Sequence, residues 1–362
     1  MGIVGGGFAG LAAAIAFRQS GQDVAVFEKS PGPNLAGGAI SLAPNALRCL
    51  SILGVRSLPA TEPWSHIPAT VRSSDGRVLV RRTLAQLTGG DHYATVERSQ
   101  LLTWLTERMP PTCLHYGSPV TGVHADGVLE IDGTEQRFDL VVGADGTRGM
   151  VRRMLWPDAD TPHPTGITGW SWIVDRKLDG GFGPIWGATT DFGILPLVDG
   201  RTYVYGGTLN PGSHLHEYRH WPDPLPMLIG AADPAQIATP TIFEARPPRD
   251  LRRGEVILIG DAAHTMRPTF GQGAALAMED AITLARCGPD ALAKRRSRML
   301  ALYTASKIGS HFATPRVPIA EHTRNLALRL TPDPLFGLLA GLVSRWRPPR
   351  ALSGYDGRTV RP

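Results

Sequence analysis

The chain has 362 residues, enough for two domains or one large composite domain. Its formal charge of +5 comes from 37 basic and 32 acidic residues, and the basic residues are scattered rather than clustered. This pattern favours a solvated basic surface over nucleic-acid binding. The three cysteines form no CxxC motif and indicate no disulfide framework, so a cytoplasmic setting is expected. We see neither a signal peptide nor a membrane span.

The first segment has the pattern of a dinucleotide-binding unit. A short apolar strand at 1–4 precedes the G-x-G-x-x-G at 5–10, and a helix at 11–19 leads to a second strand at 24–27, with Glu28 at its end. The glycines allow a tight turn, close approach of a pyrophosphate and close helix–strand packing, and the acid accepts hydrogen bonds from a ribose. The candidate contacts here are Gly5, Gly7, Phe8, Ala9, Gly10, Glu28 and Lys29.

The next segments change in character along the chain. A glycine-rich stretch at 37–47 contains Ala39 and Ser41 and leads into a helix. Residues 61–93 carry a hairpin signal at 75–76, the first piece of an antiparallel layer. A helix begins near Arg98. Positive charge at the start of a helix interacts unfavourably with the helix dipole, so an arginine at this position indicates a specific role. A guanidinium suits a phosphate ligand, although a surface arginine is the alternative.

Two further strands end in acidic residues. The first is the strand at 140–143, which leads to Asp145; a separate strand at 118–123, before it, contains Val120. Near the end of the chain, the buried strand at 256–259 leads to Gly260 and Asp261. A carboxylate at the carboxyl end of a parallel strand lies where open α/β sheets bind ligands.

A glycine-flanked helix start follows this last strand. After Pro268 come Gly271, Gln272 and Gly273, and a good helix-forming run begins at Ala274. The free backbone N–H groups and the helix dipole favour an anion, or a ring system that becomes anionic.

Residues 160–249 read as a β-rich, aromatic layer. Strands are expected at 168–174, 185–188, 192–198 and 202–209, and a turn at 199–200 joins the last two. Flat aromatic walls would suit an aromatic substrate, whereas packing within the sheet is the alternative for each residue. The substrate candidates are Trp170, Trp172, Trp186, Phe192, Tyr203, Tyr205 and Pro268. His214, His216 and His220 lie in a loop, and no metal is expected there.

The three strand-and-glycine segments and Arg98 together resemble the FAD-dependent monooxygenases of the aromatic-hydroxylase type (class A, similar to p-hydroxybenzoate hydroxylase) over about residues 1–310. The resemblance implies a Rossmann-like FAD-binding domain, an inserted, mostly antiparallel β-sheet domain and C-terminal helices. The FAD-binding domain would comprise 1–60, 94–155 and 250–330. The substrate domain would comprise 61–93 and 156–249, followed by a C-terminal helix and tail at 331–362.

The resemblance also assigns roles to the candidate residues. Arg98 would contact the FAD pyrophosphate, Asp261 would contact the ribityl and pyrophosphate part of FAD, and Ser41 would line the flavin. Val120 would pass the adenine. Asp145 would serve both FAD and the nicotinamide cofactor. The chain departs from the family in having Gly149 where a serine is usual, which weakens detailed assignment of the nicotinamide contacts.

The implied activity is hydroxylation of an aromatic or polyketide-like small molecule through a flavin C4a-hydroperoxide. The implied cofactors are FAD, NADPH or NADH as electron donor, and O2 as co-substrate. No catalytic side chain is assigned, and a monomer or homodimer is expected. A simple benzoate is mildly disfavoured, because few arginines are expected to face the flavin. A flavin-dependent reductase or dehydrogenase and a halogenase are the alternatives on the same fold.

Overall fold

The structure is a computed structural model that describes residues 1–35, 37–55, 66–88, 93–331, 341 and 343–349. Its strands are β1 (Gly2–Val4), β2 (Ala25–Glu28), β3 (Ala39–Leu42), β4 (Pro68–Ser73), β5 (Val78–Thr83), β6 (Ala94–Glu97), β7 (Leu114–Tyr116), β8 (Val120–Val123), β9 (Val128–Ile131), β10 (Thr134–Arg137), β11 (Val141–Gly143), β12 (His163–Val174), β13 (Gly183–Trp186), β14 (Thr190–Pro196), β15 (Thr202–Thr208), β16 (Thr241–Glu244), β17 (Arg252–Arg253) and β18 (Val256–Leu258).

The helices alternate with these strands in the first half of the chain and follow them in the second. They are α1 (Phe8–Gln19), α2 (Pro44–Ile52), α3 (Leu84–Thr88), α4 (Arg98–Thr106), α5 (Met150–Leu155), α6 (Leu225–Gly230), α7 (Asp261–His264), α8 (Gly273–Ala293), α9 (Arg296–Ala313) and α10 (Pro318–Leu330). Within the described ranges, no helix combines the length and apolar character needed to cross a membrane.

A parallel sheet forms the centre of the first layer. Its strand order is β17-β18-β11-β1-β2-β7, and only β17 runs antiparallel to its neighbour. β1, β11 and β18 are buried along their full length, as expected for apolar strands covered on both faces. The alanine-rich α1 lies against α8, where small side chains allow a close approach. This arrangement brings the strand ends and the start of α1 to one edge.

A mostly antiparallel sheet forms the second layer, in the order β16-β12-β15-β14-β13-β4-β5. Only the pairing of β13 with β4 is parallel. The hairpins predicted at 75–76 and 199–200 are both present, and another hairpin joins β9 to β10. The predicted fold class is therefore confirmed.

The C-terminal helices are interrupted rather than continuous. α8 is interrupted at Gly288, which has a non-helical φ of 77° and is followed by Pro289. Residues 314–317 separate α9 from α10. Proline lacks the N–H that an internal helical residue donates, so a continuous helix is excluded. Most of the predicted C-terminal helix and tail at 331–362 lies outside the described residues.

Candidate functional site

The glycine loop between β1 and α1 is closely packed on one side and open on the other. A Cβ on Gly10 would lie 1.9 Å from the Gly5 carbonyl oxygen, and one on Gly5, whose φ is +106°, would lie 2.5 Å from the Ala144 oxygen. A Cβ on Gly7 would meet nothing within 4 Å. Gly5 and Gly10 are therefore required by packing, and the open side lies at Gly7.

Glu28 ends β2 beside this loop. Its Oε2 accepts a hydrogen bond from the Gly6 backbone N–H at 2.7 Å, and its Oε1 accepts one from the Ser30 N–H at 2.9 Å. These bonds hold the carboxylate next to the loop, while the neighbouring Lys29 is exposed.

Arg98 begins α4 and reaches over the same loop. Its guanidinium lies 5.2 Å from the centre of the Phe8 ring and donates to the Asn34 carbonyl oxygen at 2.9 Å. A Cβ on Gly37, whose φ is +126°, would lie 2.8 Å from Arg98 Cδ, so this glycine makes room for the arginine. Burial lowers the pKa of Arg98, and the charge of Asp261 acts in the opposite direction.

Asp261 begins α7, directly after β18. The preceding Gly260 has a φ of +59°, and a Cβ there would lie 2.6 Å from Ala9 Cβ. The residue as a whole is exposed, yet desolvation of its carboxyl group raises the pKa of Asp261, while the charges of His264 and Arg98 act to lower it. Asp261 thus lies where the start of α1 meets Arg98.

The start of α8 is fixed by polar contacts. Gly271 has a left-handed φ of +61°, and a Cβ there would lie 3.4 Å from Ser41 Cβ. The buried Gln272 accepts a hydrogen bond from Asn45 Nδ2 at 2.9 Å through its Oε1. A Cβ on Gly273 would lie 3.8 Å from Asp261 Oδ1. The structure therefore brings this predicted anion site next to Asp261, and Pro268 is exposed just before it.

Asp145 serves the protein as a helix cap. Its Oδ2 accepts a hydrogen bond from the Val151 N–H at 2.9 Å, whereas its Oδ1 is buried without a partner. Desolvation raises the pKa of Asp145. A Cβ on Gly149 would lie 2.1 Å from Oδ1, which accounts for the glycine in place of the usual serine. Val120 lies at the start of β8, opposite Ile131.

Three of the predicted substrate residues require correction. Trp170, Trp172 and Phe192 are 5%, 1% and 0% exposed and lie within the hydrophobic core of the antiparallel sheet. Trp170 stacks on Phe192, with 5.9 Å between the ring centroids, and Phe192 contacts Trp221 edge-on. These side chains point to the sheet face that residues 215–229 cover, so they are core residues rather than a substrate wall.

Tyr203, Tyr205 and Trp186 lie on the opposite face. A Cβ on Gly38 would lie 2.8 Å from Tyr203 Cε2, and the Tyr203 hydroxyl is hydrogen-bonded to Ala39 and Ser171. Burial raises the pKa of Tyr203 to about 12. This face therefore meets the glycine-rich segment of the first layer.

Sequence reasoning missed Tyr93, Asn45 and Asp191. Tyr93 is buried, and its hydroxyl is hydrogen-bonded to Ser41 beside Gly271. Asn45 Nδ2 also donates to Glu279 Oε1 at 2.7 Å, although 234 positions separate the two residues. Only Asp191 left a signal in the sequence, because it is an acid directly before an apolar run in a strand.

Asp191 titrates unusually for a carboxyl group. Desolvation raises the pKa of Asp191 from 3.8 to about 7, while its own backbone N–H and the charge of Arg324 act in the opposite direction. The side chain is half-buried on β14.

We expect Asp191 to make stability fall as the pH rises from about 4 to 7. In that window the folded protein retains a proton that the unfolded chain has released, so the free energy of unfolding decreases with pH. Asp191→Asn should flatten the profile of Tm against pH, whereas Asp179→Asn, at an exposed position in the same layer, should not. Parallel profiles for Asp191→Asn and the native protein would contradict the assignment.

Two buried charge clusters stabilise the segments that carry the site. Arg267 Nε donates to Glu244 Oε2 at 2.8 Å, and its Nη1 donates to Ser310 Oγ at 3.1 Å. The guanidinium is therefore directed into the protein, neither to solvent nor to a ligand. His264 Nε2 lies 2.6 Å from Asp280 Oδ2, and both residues are fully buried. These pairs fix the loop that carries Pro268 and the end of α7.

Comparison with known proteins agrees with this geometry. Two families described as FAD binding domains match residues 3–78 and 232–307. The chain is 31% identical over 307 residues to an aurachin C monooxygenase/isomerase of Stigmatella aurantiaca, covering 79% of each chain. It is 32% identical over 312 residues to a 2-heptyl-3-hydroxy-4(1H)-quinolone synthase of Pseudomonas aeruginosa, covering 78% of this chain and 79% of the relative.

A solved structure is similar over almost the whole chain. Klebsiella pneumoniae HpxO, complexed with FAD and uric acid, superposes with a TM-score of 0.84 at 25% identity, covering 95% of this chain and 96% of that one. The protein belongs to the FAD-dependent monooxygenases of the aromatic-hydroxylase type. It is an enzyme whose cofactor is FAD, and NAD(P)H and O2 are the co-substrates used in its family.

Proposed function

We propose that the protein hydroxylates a flat aromatic or nitrogen-heteroaromatic small molecule held between the flavin and the Tyr203–Tyr205 face. The observation that carries this proposal is the convergence of the glycine loop, Arg98, Asp261 and the start of α8 at one edge of the parallel sheet. The quinolone and uric acid named for the relatives are nitrogen heterocycles, which supports the substrate class.

The residues present fit FAD. The open side of the loop at Gly7 offers backbone N–H groups at the start of α1, where a pyrophosphate is favoured. Arg98 adds a guanidinium, and Glu28 adds a carboxylate for a ribose. The N–H groups at the start of α8 would stabilise negative charge on the reduced ring. When bound, FAD carries electrons from NAD(P)H to O2, and the chain positions the substrate and excludes water.

The full set of predicted FAD contacts forms part of the same proposal. They are Gly5, Gly7, Phe8, Ala9, Gly10, Glu28, Lys29, Ala39, Ser41, Arg98, Val120, Asp145, Gly260, Asp261, Pro268, Gly271, Gln272, Gly273 and Ala274. We assign the FAD-binding domain to 1–60, 94–155 and 250–330 and the substrate domain to 61–93 and 156–249. The protein is proposed to be a monomer or homodimer. A cytoplasmic location is also proposed, and the three free cysteines are consistent with a reducing compartment.

The direct test follows the flavin. The purified protein should show an FAD spectrum that NADPH or NADH bleaches under nitrogen, and an aromatic substrate should accelerate the bleaching. In air, oxygen uptake should accompany formation of a hydroxylated product. Anaerobic turnover without oxygen uptake would favour a reductase or dehydrogenase. Chloride-dependent turnover with separately supplied reduced flavin would favour a halogenase.

Replacing Arg98 by alanine should weaken FAD binding on the order of 10- to 100-fold. A lost charge-assisted hydrogen bond to phosphate costs about 1.5–3 kcal/mol. Arg98→Lys should restore only part of the affinity, because an ammonium lacks the planar fork of a guanidinium. Titration of the FAD-free protein measures the effect, and Arg108→Ala, at an exposed position just beyond α4, is the matched control. Equal affinities for Arg98→Ala and Arg108→Ala would remove Arg98 from the site.

A further inference from the structure

One acid stands among the aromatic residues of the face that meets the first layer. In the register of the antiparallel sheet, Asp191 lies opposite Gly207 on β15 and opposite Trp186 on β13. Gly193, two residues along β14, lies opposite Tyr205. Since side chains alternate between faces along a strand, Asp191 shares its face with Trp186, Tyr205 and Tyr203.

The neighbouring glycines leave this carboxylate uncovered. Gly207 has no side chain to place across from it, and a Cβ there would lie 3.4 Å from Asp191 Oδ1. A Cβ on Gly193 would lie 2.1 Å from Tyr205 Cζ, so the tyrosine ring lies flat over that glycine. Glycines within strands often mark places where a ligand approaches the sheet closely. The result is a ring beside an acid on one half-buried surface.

The carboxylate also lacks an ion-pair partner within the described part of the chain. No Lys, Arg or His nitrogen lies within 4.0 Å of it. The charge of Arg324 on α10 acts on Asp191, but that guanidinium donates to Asn325 Oδ1 at 2.7 Å and to the Gly187 carbonyl oxygen at 3.2 Å. The carboxylate accepts from its own backbone N–H, and its remaining acceptor sites are available to a ligand.

Tyrosine side chains lie between Asp191 and the start of α8, and the Tyr203 and Tyr205 ring centroids are 6.0 Å apart. The charge of Asp191 acts on Tyr205, which in turn is close enough to interact with Tyr203 and Tyr93. Tyr93 is hydrogen-bonded to Ser41, and its hydroxyl would lie 3.9 Å from a Cβ on Gly271 at the start of α8. Asp191 therefore lies on the surface that continues from the proposed flavin site.

We propose that Asp191 determines which substrates bind, by accepting a hydrogen bond from an N–H or O–H group on the aromatic ring and by repelling carboxylates. This inference rests on the proposed function. A charged acceptor in a partly desolvated site strongly prefers a ligand that donates to it, because an analogue without the donor leaves the buried acceptor unpaired. The ligand class is thus a neutral heteroaromatic or phenolic ring with a donor, such as a quinolone N–H.

The pH dependence of binding gives a signature that a purely structural role would not produce. The groups facing Asp191 are Arg324 from α10, Tyr205 on β15 and Trp186 on β13. Neither the arginine nor the tyrosine, whose pKa is raised, changes charge near neutral pH. Binding of a donor ring should therefore strengthen as the pH rises through about 7, the range in which Asp191 becomes charged.

Three quinolines test the proposal on the FAD-loaded protein. 4-Hydroxyquinoline offers a donor, 4-methoxyquinoline offers none, and quinoline-4-carboxylate is an anion. Titration monitored by flavin absorbance should rank 4-hydroxyquinoline first. Asp191→Asn should reduce that preference about tenfold or more, and Asp191→Arg should place the carboxylate first. Asp179→Asn, the exposed control, should leave the ranking unchanged.

The same titrations can also contradict the role proposed for Asp191. An unchanged ranking in both Asp191 variants, a native preference for the carboxylate, or no binding of 4-hydroxyquinoline up to its solubility limit would overturn the assignment. FAD content and bleaching by NADPH or NADH are measured on the same samples. If both are normal while the ranking does not respond, only the Asp191 inference fails. If the native protein binds no FAD, the proposed function fails and this inference fails with it.

Discussion

Replacing Gly10 by alanine should destabilise the protein by about 3 kcal/mol or more, at or above the upper end of what over-packing usually costs. The new Cβ would lie 1.9 Å from the Gly5 carbonyl oxygen, and this neighbour is backbone rather than a flexible side chain. The start of α1 would have to move away from the sheet edge. Thermal unfolding of the FAD-free protein measures the loss directly.

Gly7→Ala is the matched control for Gly10→Ala. A Cβ on Gly7 would meet no protein atom within 4 Å, and the φ of −82° suits alanine, so the FAD-free protein should retain its Tm. FAD affinity should nevertheless fall, because the methyl group would project into the open side of the loop. If both variants lost stability equally, the loop would not have the two distinct sides described above.

Replacing Glu279 by leucine should cost about 3–5 kcal/mol, because it removes the acidic partner of Arg298 and leaves Arg295 with Asp280 alone. Glu279 is fully buried and pairs with Arg295 at 2.6 Å and Arg298 at 2.8 Å. Its Oε1 also accepts from Asn45, which holds Gln272 at the start of α8. Unfolding in urea should show the loss, and FAD binding should weaken because the helix start loses its support.

The control for Glu279→Leu is an exposed ion pair. Asp126 pairs with Arg137 at 2.6 Å, but the two side chains are 57% and 65% exposed. Asp126→Asn should therefore leave the free energy of unfolding almost unchanged. A comparable loss in both variants would show that burial is not the source of the Glu279 effect.

Much of the proposed FAD cradle could be predicted from sequence because its parts are local. A glycine that must avoid a neighbouring carbonyl can be recognised from a few adjacent residues, and so can an acid that ends a strand. The loop at 5–10, Asp261 and the helix start at 271–273 all have this property. Family resemblance, rather than local pattern, then supplied the cofactor's identity.

The supporting contacts could not be predicted, because they join distant parts of the chain. Asn45 meets Glu279 across 234 positions, and Arg267 meets Glu244 within a buried pair. No periodicity encodes such partners. Asp145 likewise has a cap role that depends on the absence of a side chain at Gly149, which sequence reasoning noticed only as a departure from the family.

The sequence by itself determined the fold class and the strand periodicity. A period of two places Trp170 and Trp172 on one face of the sheet, and likewise Tyr203 and Tyr205 on one face. It does not say which face meets the flavin-binding layer. The tertiary structure decided this, because residues 215–229 cover the tryptophan face while the tyrosine face packs toward Gly38. Both faces carry large aromatic side chains, so the sequence pattern alone could not distinguish core from substrate surface.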